Sequence, residues 1–141
     1  FICNMDYTIF FRLLGDINAD MMSQEARSLI EPALYNELID THEDLLIAWL
    51  ETYLIRLTQE TVASQVRKSE MSKVNPKYVL RNYMAQLAIE AAESGDYSLI
   101  HEIYTMLKHP YDEQPEFHYW FAKRPEWAMN KVGCSMLSCS S

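Results

Sequence analysis

The sequence predicts an all-α domain of about five or six helices, followed by an irregular tail rich in proline and aromatic residues. Two observations carry this expectation. Apolar residues recur at three- and four-residue spacing in successive segments, the pattern of a helix burying one face. Glycine occurs only three times, at 15, 95 and 133, and residues 41–66 and 77–92 contain neither glycine nor proline.

The segment DYTIFFRLL, residues 6–14, offers Asp6 as a cap, then Ile9, Phe10, Leu13 and Leu14 on one face, with Gly15 ending it. From Ser23 a second pattern runs as SQEARSLIEPALYNELI, in which Pro32 breaks or restarts the helix. Ser23 lacks a glutamate three residues on, so a full capping box is not expected there. Thr41 is read as the cap of the longest helix, HEDLLIAWLETYLIRLTQETVASQV. Its Leu45, Leu46, Ala48, Trp49, Tyr53, Leu54, Leu57 and Val62 would line a buried side without interruption by glycine or proline. Glu43 and Asp44 sit in its first turn, where the helix dipole favours negative charge.

Residues 67–74, RKSEMSKV, are expected to form a polar basic bridge into a further helix at 75–92. There Asn75 is read as cap and Pro76 as the first helical residue, with Leu80, Met84, Leu87, Ala88 and Ala91 on one face and Gly95 as the stop. Asp96 caps the next helix, YSLIHEIYTMLK, which ends before Pro110. So short a connection makes the two an antiparallel pair. Beyond it, prolines at 110, 115 and 125 alternate with Tyr111, Phe117, Tyr119, Trp120, Phe121 and Trp127. Such a strap cannot be a long helix, yet it carries too much apolar surface to float free. It either runs pinned across the helices or docks another domain. The whole of 1–141 is taken as a single helical domain, with 110–141 as the strap and a mobile cysteine-bearing tail.

The first residue is Phe1 rather than Met, so the chain is expected to be a piece of a longer protein. Its longest apolar run is six residues, Leu45 to Leu50, against about 20 for a membrane span, so no membrane partner is expected. Twenty acidic against twelve basic residues give a formal net charge of −8, which disfavours nucleic acid. The charge is uneven. Residues 36–60 carry six acids against Arg56 alone, whereas 67–81 carry five basic residues and only Glu70, so the two stretches are candidates to face each other. A solvated surface and a partner site both fit that pattern.

Three cysteines, Cys3, Cys134 and Cys139, make no disulfide framework and suit a reducing, cytoplasmic compartment. Four histidines, His42, His101, His109 and His118, show no metal-ligand spacing, and no phosphate-cradling glycine loop, nucleophile elbow or Cys-x-x-Cys pair occurs. No catalytic, cofactor-binding or metal residue is therefore expected. The exception to weigh is Cys139, two residues from the last residue on a small polar tail, where a thiol is accessible to oxidation or exchange.

Four stretches in order, NPKYVLRNYMAQLAIEAAESGDY at 75–97, PYDEQP at 110–115, PEWA at 125–128 and SCSS at 138–141, resemble the carboxyl-terminal part of the selenoprotein O (SelO/YdiU) family. DYTIFFRLL resembles the segment preceding it there; the likeness is close over 75–141 and looser before. The resemblance implies a parent with a protein-kinase-like fold, a pseudokinase by sequence, that binds ATP with magnesium and transfers AMP to hydroxyl side chains of proteins. The family's nucleotide- and magnesium-binding residues lie upstream of everything matched here. The chain would then be a supporting or regulatory part, with the kinase-like core of the same polypeptide and the parent's protein substrates as partners. Cys139 stands where some members carry selenocysteine, which implies a redox role, a reversible disulfide with a cysteine of the core. GCSML before SCSS departs from the family pattern and adds Cys134, so a Cys134–Cys139 bridge is a rival. Two further readings differ in class. One is a helical protein-interaction module using 67–81 and the strap. The other is a thiol oxidoreductase dependent on Cys139.

Overall fold

The computed structural model describes residues 4–131 and 134. Among them the chain is helical: α1 (Tyr7–Leu14), α2 (Ser23–Ile30), α3 (Asp40–Thr58), α4 (Ser64–Val74), α5 (Asn82–Glu93) and α6 (Ser98–Leu107), with 3₁₀ turns at Glu31–Ala33, Pro115–Trp120 and Glu126–Ala128. One isolated antiparallel bridge joins Met5 to Leu34. No helix of the described residues is long and apolar enough to cross a membrane. The chain divides into two compact units, Phe1–Lys77 and Tyr78–Ser141.

In the first unit α1 starts as its sequence dictates. The Asp6 carboxylate accepts the Ile9 N–H at 3.1 Å through one oxygen and the Tyr35 hydroxyl at 3.2 Å through the other, so this buried acid caps the helix and ties down residue 35. Backbone bonds from Asp6 to Ala33 and from Tyr35 to Asn4 hold the extended residues after Pro32 against the start of the chain. That pairing is why the second pattern does not resume as helix: Pro32 lies in the 3₁₀ turn Glu31–Ala33, and no helix runs through 34–39. The cap of α2 also differs from expectation by one residue. Met22 is the N-cap, and Glu25 reaches back to its N–H at 2.8 Å, completing half of a capping box in the adjacent frame.

Helix α3 begins at Asp40, with Ile39 rather than Thr41 as N-cap, and stops at Thr58 although neither glycine nor proline follows. It buries Leu46, Leu50, Leu54 and Leu57, whereas Leu45, Trp49 and Val62, expected inside, are exposed. The supposed basic bridge is helix α4. Arg67 explains the break. On one continuous helix, positions 53 and 67 would stand about 21 Å apart, yet the Arg67 guanidinium donates to the Tyr53 hydroxyl at 3.1 Å. The chain must turn back at 59–63 for that contact to form.

In the second unit the helix expected over 75–92 loses its first seven residues. Asn75 closes α4 instead of opening α5, its N–H and side-chain amide both donating to the Met71 carbonyl at 2.9 Å. Residues 76–81 run without helix into α5, and Leu80 stands exposed. The competing partner is distant in sequence. Tyr78, fully buried, donates its N–H to the Pro110 carbonyl at 3.1 Å and its hydroxyl to the Gln114 carbonyl at 2.8 Å. The stop at the other end of α5 is as expected: Gly95, at φ +84°, lets its own N–H reach Ala92 and the Asp96 N–H reach Ala91. The N-cap of α6 is Tyr97, one residue past the expected Asp96, whose carboxylate still accepts the Ser98 N–H at 2.9 Å.

Candidate functional site

Each unit contains one polar cluster held by side chains from several elements. In the first unit it centres on Arg67 of α4. This guanidinium donates to the Tyr53 hydroxyl on α3 and to the Ile17 carbonyl after α1, and its Nε lies 4.0 Å from the Glu60 carboxylate. Burial raises the Tyr53 phenol above the ordinary tyrosine value, while the charge and hydrogen bond of Arg67 pull the other way. Beside the cluster lies an open groove of about 480 Å³, lined by Gln59, Glu60, Thr61, Val62, Arg67, Glu70 and Met71. Its polar groups are the Arg67 guanidinium, already committed to protein oxygens, the carboxylates of Glu60 and Glu70, the Gln59 amide and the Thr61 hydroxyl.

The basic stretch 67–81 is engaged within the protein. Lys68 pairs with Asp16, Lys73 with Glu70 at 2.6 Å on the same helix, and Lys77 is buried. Of the expected facing of acidic and basic stretches, Arg67 approaches Glu60 at 4.0 Å, while Glu43 meets Arg27 of α2 at 2.7 Å. Arg12 of α1 adds a further clasp, donating to the carbonyls of Ser72 at 2.9 Å and Asn75 at 3.0 Å at the end of α4.

The second unit's cluster is built by the motifs that carried the resemblance. The Gln114 side-chain amide of PYDEQP donates to the carbonyls of Met106 at 3.0 Å and His109 at 2.8 Å, satisfying the end of α6, while the Gln114 carbonyl receives Tyr78 of NPKY. Trp127 of PEWA meets the Tyr83 ring edge-on at 6.1 Å, and Ala128 is fully buried. Glu102 on α6 accepts the Trp120 indole N–H at 2.8 Å and the Tyr119 hydroxyl. Burial, then the hydrogen bond to Glu102, raises the Tyr119 phenol. Lys131 reaches the Glu90 carboxylate of α5 at 2.5 Å and holds it below the ordinary carboxylate range. Phe117, Trp120 and Phe121 pack on the core formed by Tyr78, Tyr83, Met84, Ile103 and Met106.

Cys139, the predicted redox residue, lies outside the described residues, as does Cys3. Cys134 is described: its thiol is free and buried in the second core. Among the described residues no group of three or more His, Cys, Asp or Glu side chains could hold a metal ion, and the nearest histidine pairing is His109 with Asp112 at 3.7 Å on the surface. Sequence inspection missed Arg67 and Gln114 as organising residues. Gln114 had a signal, a glutamine between prolines just past a helix end; Arg67 had none beyond its place in a basic run.

The model of the protein adenylyltransferase SelO family matches residues 2–108. The chain is 52% identical over 139 residues to the protein nucleotidyltransferase YdiU of Flavobacterium johnsoniae, covering 96% of this chain and 26% of that protein. It is 44% identical to the protein of the same name from Aromatoleum aromaticum, over 97% of this chain and 26% of the relative, and 44% identical to that of Nitrosospira multiformis, over 96% and 28%. The chain thus spans about a quarter of the length of the curated relatives it matches. The family match covers the half where the motif resemblance was looser, and the relatives extend the likeness through the aromatic strap.

Proposed function

We propose that this chain, which belongs to the protein adenylyltransferase SelO family, is a helical supporting part of a larger protein nucleotidyltransferase. The parent transfers AMP from ATP, with magnesium, to hydroxyl side chains of proteins, and its nucleotide site lies on a kinase-like core outside this chain. The observation that carries this reading is 52% identity, sustained across nearly the whole chain, to a protein nucleotidyltransferase of which the chain is only a quarter. The two polar clusters fit it: Arg67 and Gln114 join helices and satisfy backbone carbonyls.

The test is transfer of labelled AMP from ATP to protein, with magnesium present. Transfer by the full-length parent and none by residues 1–141 is the expected result. Transfer by the fragment alone would refute the supporting role. The rival of an interaction module acting through 67–81 draws little support from side chains already paired with Asp16 and Glu70.

Within this reading Cys139 is the regulatory position. Its thiol and a core thiol would each lose one electron and one proton to an oxidised thiol reagent such as glutathione disulfide, forming a reversible disulfide that gates the parent. Peptide mapping of the oxidised full-length protein tests this, and a Cys139 that stays free, or that pairs with Cys134, rejects it.

A further inference from the structure

We infer that the aromatic face shared by α1 and α3 is the surface on which this chain docks against the remainder of its own polypeptide. The inference rests on the reading that the chain is one part of a longer nucleotidyltransferase, and it names the face that part uses. Helix α3 is apolar on two sides. Leu46, Leu50, Leu54 and Leu57 line the buried one, but Leu45 and Trp49, four residues apart, stand 51% and 43% exposed on another. A surface helix of a finished domain turns polar residues outward; α3 exposes Asp44, Glu51, Thr52 and Arg56 but exposes Leu45 and Trp49 with them.

Alongside, α1 exposes Tyr7 at 51% and Phe11 at 43%. The rings form one chain of contacts, with the buried Phe10 linking the exposed rings of α1 to Trp49. Tyr7 lies 6.4 Å from Phe11, Phe11 5.3 Å from Phe10, Phe10 5.8 Å from Trp49, and Trp49 stacks on Tyr53 at 5.5 Å with the planes 4° apart. Single exposed apolar residues need no explanation, but a contiguous band marks an interaction surface, and aromatic residues are the types enriched at interface cores. Arg67 holds the Tyr53 hydroxyl, so the far end of the band is fixed before anything binds, which lowers the entropic cost of docking.

The length of the relatives identifies the occupant. A chain that is 26% of the Flavobacterium johnsoniae protein leaves about three-quarters of that length outside it, on the same polypeptide. A tethered surface meets the band at an effective concentration on the order of millimolar, well above what a second copy supplies in dilute solution.

The experiment is hydroxyl-radical footprinting of the monomeric full-length protein, read by mass spectrometry at Tyr7, Phe11 and Trp49 against the denatured chain. Exposures of 43–51% by themselves slow labelling about twofold. Docking predicts about tenfold or more, as for the dry core of an interface. Trp49→Glu should return Tyr7 and Phe11 towards twofold, whereas Ile55→Glu, at a residue 61% exposed and away from the ring contacts, should leave the protection intact. Near-twofold labelling in the wild-type monomer overturns the proposal, and so does protection that appears only as the protein dimerises, which would make the occupant a second copy. AMP transfer measured on the same sample separates the two claims. Transfer without protection counts against the docking face alone, and protection without transfer counts against the proposed activity.

Discussion

The two units are fastened by different chemistry. In the first, long cationic side chains cross between elements: Arg12 to the end of α4, Arg27 to Glu43, and Arg67 to Tyr53 and Ile17. In the second, aromatic and amide side chains close a small core, with Tyr78 and Gln114 bonding to backbone carbonyls and Phe117, Trp120 and Phe121 covering two helices. The first unit keeps a band of rings outside, while in the second unit's strap Phe117, Trp120 and Phe121 pack on its core and Tyr111, Tyr119 and Trp127 stay exposed. The contrast teaches that the motifs most recognisable in the sequence are joints of the fold, and that recognisability alone did not mark a reacting site.

The largest effect is expected at Tyr78. Tyr78→Ala removes a fully buried ring and should destabilise the second unit by about 3–5 kcal/mol, while Tyr78→Phe, which keeps the ring and loses the bond to the Gln114 carbonyl, should cost about 1–2 kcal/mol. Denaturant titration followed by tryptophan fluorescence measures both. Equal losses would mean that the hydroxyl, not the ring, holds 76–81 in place.

Arg67→Met should cost about 1–3 kcal/mol by stranding the Ile17 carbonyl and Tyr53 hydroxyl, a loss confined to the first unit. It also removes the influence that lowers the Tyr53 phenol, so spectrophotometric titration should find Tyr53 ionising at still higher pH. A neutral variant would show that α4 is held by its apolar contacts and not by the guanidinium.

Gly95→Ala forces a side chain into the left-handed region at φ +84° and should cost about 1–2 kcal/mol, with no clash since the space around it is open.

The smallest effect is electrostatic. The Ser98 N–H lowers the Asp96 pKa, and Lys131 lowers that of Glu90. A folded value below the unfolded one contributes stability above about pH 4 and loses it as pH falls through the folded value. Lowering the pH below about 4 should therefore loosen the start of α6 and the Glu90–Lys131 link, seen as faster amide exchange there, while the Arg67 contacts to neutral oxygens persist. Asp96→Asn, which keeps a capping oxygen without the charge, should flatten that dependence.

What the sequence made legible was local. Asp6 as a cap and Gly95 as a stop follow from side-chain and backbone geometry within a few residues, and both stand in the structure, while Asp96 bonds the Ser98 N–H from one residue before the N-cap Tyr97. What it hid depended on distant partners. Asn75 and Pro76 carry a helix-start signature, but Tyr78 gains its buried bonds from residues 110 and 114, and the extended conformation wins. Periodicity likewise could not tell which of two apolar sides of α3 faces its own unit: Leu46 and Leu50 went in, Leu45 and Trp49 stayed out. Arg67 was hidden in the same way, since it acts through a carbonyl and a hydroxyl contributed by other elements, whereas Gln114 had the local cue of a glutamine between prolines just past a helix end.

The most direct test of the account is nucleotide binding. A titration of ATP with magnesium into the full-length parent should give saturable binding, and the same titration into residues 1–141 should give none. Saturable binding by the 141-residue chain itself would contradict the account, and would move the nucleotide site into the helices described here.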